Sequence, residues 1–336
     1  MRNYSLEFMR IFLMFIIVFG HLNEHLPILG KSADLSPHSY MAVQSFFVLG
    51  GFFAYMNLKK YDFCGLMMKT YHRILPPFLF SVILSIYLWH TSSTLLIKAF
   101  FLLPGLYPSS QILYAGDWFL GVYFWLICFF SYIYIYNLKW ANYLTVIVIF
   151  CFFCISVNAQ ADNSFMSTYW HVIPSELPRG FISIGGGFLL GSVSDKIKIE
   201  KSLLSIAIFT FFEFYFLRLF FNFLLSPAPS KYSFNLLEWT IVNCFLVYSF
   251  YNLNGMISIL INKIDKVNYV SRYVFSFFMA HMIPMHYVYV NKSNYPAAEI
   301  CFAFLGATIV LTLIEYHLFS KRLYPYAVAW LRKILF

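Results

Sequence analysis

The sequence predicts an all-α integral membrane protein, a bundle of about ten transmembrane helices with both termini cytoplasmic. Three observations predict it. Of the 336 residues, 61% are hydrophobic and only 11% are charged, where a soluble domain carries about 25% charged residues. Ten apolar windows can be drawn, each close to the roughly 20 residues that an α-helix needs to cross a hydrocarbon core. The cations then segregate: of 23 Lys and Arg residues, seventeen fall in loops on one side, five on the other, and Arg218 lies inside a window. The crowded side, which holds both termini, is assigned to the cytoplasm by the positive-inside rule. The net charge of +9 sits in these short loops and is therefore no nucleic-acid footprint.

The windows run over 5–26, 39–57, 73–91, 116–137, 141–158, 178–194, 202–225, 234–252, 271–290 and 297–319. A piece at 95–106 is too short to span and ends in Pro104-Gly105, so it is expected to be re-entrant or interfacial. The basic loop KTYHRILPP, 69–77, is expected to precede a helix start marked by Pro76 and Pro77. There is no composition break, linker or internal repeat, which predicts one domain over 1–336 with no appended soluble domain. No cleavable signal peptide is expected, because Arg10 interrupts the first apolar stretch and no small-residue cleavage site follows. Cys151 and Cys154 have a CxxC spacing within an apolar run, without a nearby histidine or second pair, and read as buried thiols with no metal site.

The first window, SLEFMRIFLMFIIVFGHLNEHL, carries Glu7, Arg10, His21, Glu24 and His25. Eleven helical steps separate Arg10 from His21, about 1100°, which is three turns plus about 20°. The two side chains therefore share a face, roughly 16 Å apart along the axis. Ionisable groups at membrane depth are costly unless paired or hydrated, so the default reading is functional. The structural alternative makes Arg10 a juxtamembrane anchor paired with Glu7 and His21 an interfacial cap. Glu24, three residues after His21, favours the functional reading, since a carboxylate raises the basicity of a neighbouring imidazole and orients it as a general base. Adjacent Gly50 and Gly51 in the second window predict close helix contact. Lys69, His72 and Arg73 suit a topology signal, a lipid headgroup or a phosphorylated donor. Glu213 and Arg218, about 140° apart on one helix, are not expected to pair with each other. Each is read as structurally paired elsewhere or as lining an acceptor site.

Glu7 with Arg10-x10-His21 resembles the opening signature of the membrane-bound acyltransferase family 3, bacterial integral-membrane O-acyltransferases of surface glycans. SFFVLGGFF resembles that family's FFVLSGF stretch, with Gly50 where serine is usual. HRILPP resembles its basic loop, with Arg73 present and Lys69 displaced by one position from the second arginine. GDWFLGVYFWL, with Trp118, looks like its W-F-L span start, and SRYVFSFFMAHMIP resembles its late histidine stretch, with His281 at the histidine and Phe278 replacing a tyrosine. Glu315 resembles its terminal glutamate.

The resemblance implies transfer of an acyl group, most often acetyl from acetyl-CoA, to a hydroxyl of a cell-surface polysaccharide or lipid-linked saccharide. Acetyl-CoA would be a co-substrate, with no tightly bound cofactor. His21 would take the base or acyl-relay role, oriented by Glu24, and Arg10 would complete the catalytic set by holding the donor's phosphates or carbonyl. Arg10, Arg73, Lys69 and His72 face the donor, and Glu7, Trp118, His281, Glu213 and Arg218 are candidates for substrate contact. The bacterial inner membrane is the expected location, and the bilayer, the coenzyme A thioester and the glycan are the expected partners; oligomeric state is not inferable. The rival reading is a transporter or flippase, which predicts related halves with Gly/Pro-interrupted spans. The sequence lacks that symmetry.

Overall fold

The computed structural model describes residues 3–26, 36–89, 94–104, 106, 118–136, 139–161, 176–194, 196, 199–225, 236–291 and 295–335, and these are almost wholly helical. The long helices are α1 (Tyr4–His25), α2 (Ser36–Leu58), α3 (Phe63–Trp89), α5 (Trp118–Tyr136), α6 (Ala141–Ala161), α7 (Glu176–Ser194), α8 (Leu203–Leu225), α9 (Leu236–Asn252) and α14 (Ala297–Ile314). Shorter helices are α4 (Thr94–Phe100), α10 (Met256–Ile261), α11 (Val267–Ser271), α12 (Val274–Ala280), α13 (Met282–Asn291) and α15 (Tyr324–Leu335). Among the described residues, five segments are long and apolar enough to cross a membrane: Tyr4–Asn23, Met41–Leu58, Phe63–Trp89, Trp118–Tyr136 and Ala297–Ala329.

α1 starts where it does because Asn3 caps it: the side-chain oxygen of Asn3 accepts from the Leu6 N–H at 3.1 Å. The same side chain donates to the last carbonyls of α9, Phe250 at 3.0 Å and Tyr251 at 2.8 Å. The Tyr4 N–H donates to Asn262 Oδ1 at the end of α10. One residue thus satisfies an orphan donor of one helix and two orphan acceptors of another. This fastening fixes the height of Glu7 and Arg10 in the bundle.

α2 lies at the centre, against α1, α5, α7 and α9. Its contact with α7 is backbone on backbone. A Cβ at Gly51 would lie 2.2 Å from the Ile184 carbonyl oxygen, and one at Gly187 would lie 2.2 Å from that of Val48. Small residues permit this approach, and no larger side chain fits. Buried polar ties hold α2 to α9: Ser45 donates to Asn243 Oδ1 at 2.6 Å, and Trp239 Nε1 donates to the Met41 carbonyl at 3.0 Å. Phe47 and Phe52 of α2, Phe130 of α5 and Phe188 of α7 are fully buried, whereas Tyr87, Phe150, Phe211 and Phe302 point outward, as lipid-facing residues do.

The structure departs from the sequence expectation at three places. Pro76 and Pro77 do not mark a helix start. α3 begins at Phe63, aided by Asp62, whose carboxylate accepts from the Gly65 N–H at 2.9 Å, and both prolines lie within it. Prolines are tolerated inside a membrane helix because neighbouring groups compensate. They remove the N–H donors that would reach the His72 and Arg73 carbonyls. The 271–290 window divides at His281 into α12 and α13, where Pro284 removes the donor to the Ala280 carbonyl. The last window runs on through a π-helical segment, Glu315–Leu323, into α15. In that wider turn the Ser320 hydroxyl donates to the buried carboxylate of Glu315. The short 95–106 piece overlaps the seven-residue α4, which starts one residue earlier at Thr94 and packs on α3; the Tyr71 hydroxyl donates to the Phe100 carbonyl at 2.8 Å.

Candidate functional site

Three helices bring the predicted charges to one place. α1 supplies Glu7 and Arg10, whose side chains form an ion pair at 2.9 Å, each 17% exposed. α3 supplies Lys69 and Arg73 from its interior turns, and α2 closes the third side with Gly50, Phe53, Ala54 and Asn57. They surround a cavity of about 240 Å³. Arg73 lies close enough to Arg10 for the two guanidinium charges to repel, and the Tyr123 phenol from α5 is near both. Lys69 donates to Asn57 Oδ1 at 3.2 Å and sits 4.2 Å from the Tyr61 ring centroid, bridging α3 to the end of α2. Among the described residues, three cations thus share the cavity with a single lining carboxylate, Glu7. In a low-dielectric bundle that surplus is a strong attractor for anions, and the planar guanidinium forks suit phosphate oxygens.

Away from the charges the wall turns apolar, with Ile17, Val43, Phe46, Phe119, Ile127 and Phe278. Ile17 is on the Arg10 face of α1, one turn before His21, and His21 itself is not among the lining residues. Its ring instead stacks on that of His281, centroids 5.8 Å apart and planes 18° apart. Phe278 connects the two regions, because it lines the cavity and its ring lies 5.5 Å from His281. The shared face predicted for Arg10 and His21 thus leads from the charged cavity to an imidazole pair. The Glu24 side chain lies outside the described residues.

The remaining candidates stand elsewhere. His72 turns from the cavity to α15, its Nδ1 2.8 Å from the Tyr324 hydroxyl. Trp118 packs edge-on against Phe47 and lies 6.0 Å from the Arg179 guanidinium. Glu213 is 1% exposed, and its carboxylate accepts from Ser249 Oγ at 2.8 Å and from the Ile257 N–H at 2.9 Å. With Thr210, which accepts from the Met256 N–H at 2.8 Å, it caps the start of α10 and takes no part in the cavity. Arg218 is exposed on α8. Among the described residues no group of three or more His, Cys, Asp or Glu is placed to hold a metal ion.

Tyr123 is the member that the sequence reading does not single out. Its ring lies over Gly50, where an added Cβ would come within 2.2 Å of a ring carbon. The one available signal was position: Tyr123 falls inside an apolar helix, away from the interfacial ends that tyrosine favours.

No curated protein and no solved structure matches the chain. A family model described as an acyltransferase domain, by contrast, matches residues 3–316, nearly the whole chain. The residues that line the cavity, and His21 and His281 beside it, all lie within the matched residues. The chain belongs to the acyltransferase 3 family, a family of membrane acyltransferases.

Proposed function

We propose that this protein moves an acyl group, acetyl in the first instance, from acyl-CoA to a hydroxyl of a cell-surface polysaccharide or lipid-linked saccharide. The observation that carries the proposal is the cavity shared by Arg10, Lys69 and Arg73 with one carboxylate between them. A coenzyme A thioester is polyanionic at one end and thin along its pantetheine arm. The cations meet its phosphates, and the apolar end of the cavity accepts the arm. The acyl carbon then lies toward His21, which acts as base or acyl relay, with Glu24 orienting the imidazole.

In the direct form of the reaction the acceptor oxygen bonds to the acyl carbon as the C–S bond breaks. The hydroxyl proton passes to an imidazole and from there to the departing thiolate. A thioester is already activated, so positioning and a base suffice.

On this reading the chain crosses a bacterial inner membrane ten times, with both termini cytoplasmic. The fastening of α1 to the ends of α9 and α10 puts the N-terminus beside the loop bearing Lys263, Lys266 and Arg272. Asn57 is in the last turn of α2 and Lys69 near the start of α3, and on this reading the donor enters at that end, from the cytoplasm.

The test uses purified protein in lipid nanodiscs with mass-tagged acetyl-CoA, with and without a glycan extract from the source cells. Acceptor-dependent release of free coenzyme A with label in the glycan is the expected result. Saturable movement of a saccharide across vesicles without that release would establish the carrier reading instead. His21→Ala should insert and fold but transfer nothing; normal transfer by that variant removes His21 from the mechanism.

A further inference from the structure

The stacked histidines hold a buried polar atom that nothing above uses. His281 is fully buried, at 0% exposure. Its Nδ1 bonds to the Phe278 carbonyl oxygen, and its Nε2 has no hydrogen-bond partner among the described residues. A carbonyl can only accept, so Nδ1 must carry the hydrogen. An imidazole with its one proton held there presents Nε2 as a bare lone pair. A buried acceptor without a donor is costly. Buried polar atoms are paired in the great majority of structures, and an unpaired one calls for an explanation, a catalytic role among them.

The surroundings say what kind of partner. His21 stacks on this ring with centroids 5.8 Å apart and is itself only half-buried, so the pair is approached from the His21 side. Phe278, whose ring lies 5.5 Å from that of His281, is apolar and offers no donor. What fits is a neutral hydrogen-bond donor small enough to lie against both rings, which is a hydroxyl group. We infer that the His21–His281 pair is the docking point of the acceptor hydroxyl, with His281 Nε2 accepting its hydrogen bond and taking its proton during transfer. This rests on the acyl-transfer reading above and deepens it: in the direct form of the reaction His281 takes the base role, and His21 stands beside the acyl carbon. His21 faces the acyl carbon and His281 holds the attacking oxygen. As the C–O bond forms and the C–S bond breaks, the O–H proton moves to Nε2 and then to the coenzyme A thiolate.

His281→Asn is the informative variant. Its side-chain NH2 lies where Nδ1–H lay and keeps the bond to the Phe278 carbonyl, while the Nε2 acceptor is lost. The expected result in nanodiscs is at least a 100-fold loss of transfer to the glycan extract, with coenzyme A binding and the thermal midpoint held within error of the unchanged protein. Unchanged transfer in His281→Asn overturns the inference and leaves His281 a packing residue. If that variant does not fold, ¹⁵N-histidine NMR of the unchanged protein decides. An Nδ1–H tautomer whose Nε2 resonance moves on adding the glycan extract supports the assignment, and an Nε2–H tautomer or an unmoved resonance refutes it. The two readings fail separately. Absence of coenzyme A release by the unchanged protein defeats the acyl-transfer proposal, and the NMR result then decides hydroxyl docking by itself.

Discussion

Gly187→Ala is the sharpest test of how the bundle holds its site. The added methyl carbon would lie 2.2 Å from the Val48 carbonyl oxygen, 2.8 Å from the Phe52 nitrogen and 3.0 Å from the Gly51 Cα. All three are backbone atoms of α2, so no side-chain rotation relieves the overlap. α2 and α7 must separate by about 1 Å to restore van der Waals distance. Overpacking of this kind destabilises by about 1–3 kcal/mol, and a contact between two backbones lies at the upper end. The separation also reaches the cavity, because α2 carries Gly50, Phe53, Ala54 and Asn57 on its wall. A displacement of about 1 Å in positioning groups is enough to lower turnover about 100-fold. The control is Gly306→Ala on α14, where an added Cβ meets nothing within 4 Å. That change should be neutral or stabilising by about 0.5–1 kcal/mol through helix propensity. Thermal unfolding followed by tryptophan fluorescence in nanodiscs, with acetyl transfer measured in parallel, separates the two. Equal midpoints for both variants would refute the close-contact argument.

Other outcomes follow from the same geometry. Arg73→Gln should raise the KM for acetyl-CoA by about 10- to 100-fold, the equivalent of one charge-assisted bond of about 1.5–3 kcal/mol. Arg10→Gln should do more damage, because it also strips Glu7 of its 2.9 Å ion-pair partner; titrating coenzyme A binding with each variant ranks them. Gly50→Ala should drive the Tyr123 ring off its seat and weaken donor binding, whereas Tyr123→Leu in the same chain should restore part of the loss. Glu213→Gln should lower stability by about 1–3 kcal/mol by replacing a carboxylate that accepts from two sides with an amide that must donate on one. Its transfer rate per folded molecule should be unchanged, and a specific loss of activity would return Glu213 to the site.

The prolines of α3 show how far pattern reading goes and where it stops. The residue before a proline is biased away from helix, so Pro76-Pro77 reads as a boundary. In the folded protein α4, α5, α12 and the π-helical turn all pack around α3, and that tertiary support outweighs the two lost hydrogen bonds. The consequence is functional, since Lys69 and Arg73 then project from a rigid helix into the cavity instead of from a loop. Glu213 carries a similar lesson. An intramembrane carboxylate flags itself in any sequence, but only the fold reveals that its partner is the start of a short helix some forty residues later.

By itself the sequence determined that the chain is an apolar helical bundle, because unbroken apolar runs of about twenty residues satisfy the backbone in a membrane as helices and lack the alternation of barrel strands. It also determined that Arg10 and His21 share a face, because helical periodicity is a local property, and that Gly50-Gly51 marks a close contact. The tertiary structure alone decided which of the two glycines meets α7 and which makes room for Tyr123. It alone brought Lys69 and Arg73 against Glu7 and Arg10, sent His72 and Glu213 elsewhere, and laid His281 on His21. Those outcomes depend on the rotation and height of each helix against its neighbours, which packing across distant segments sets and which no stretch of twenty residues encodes.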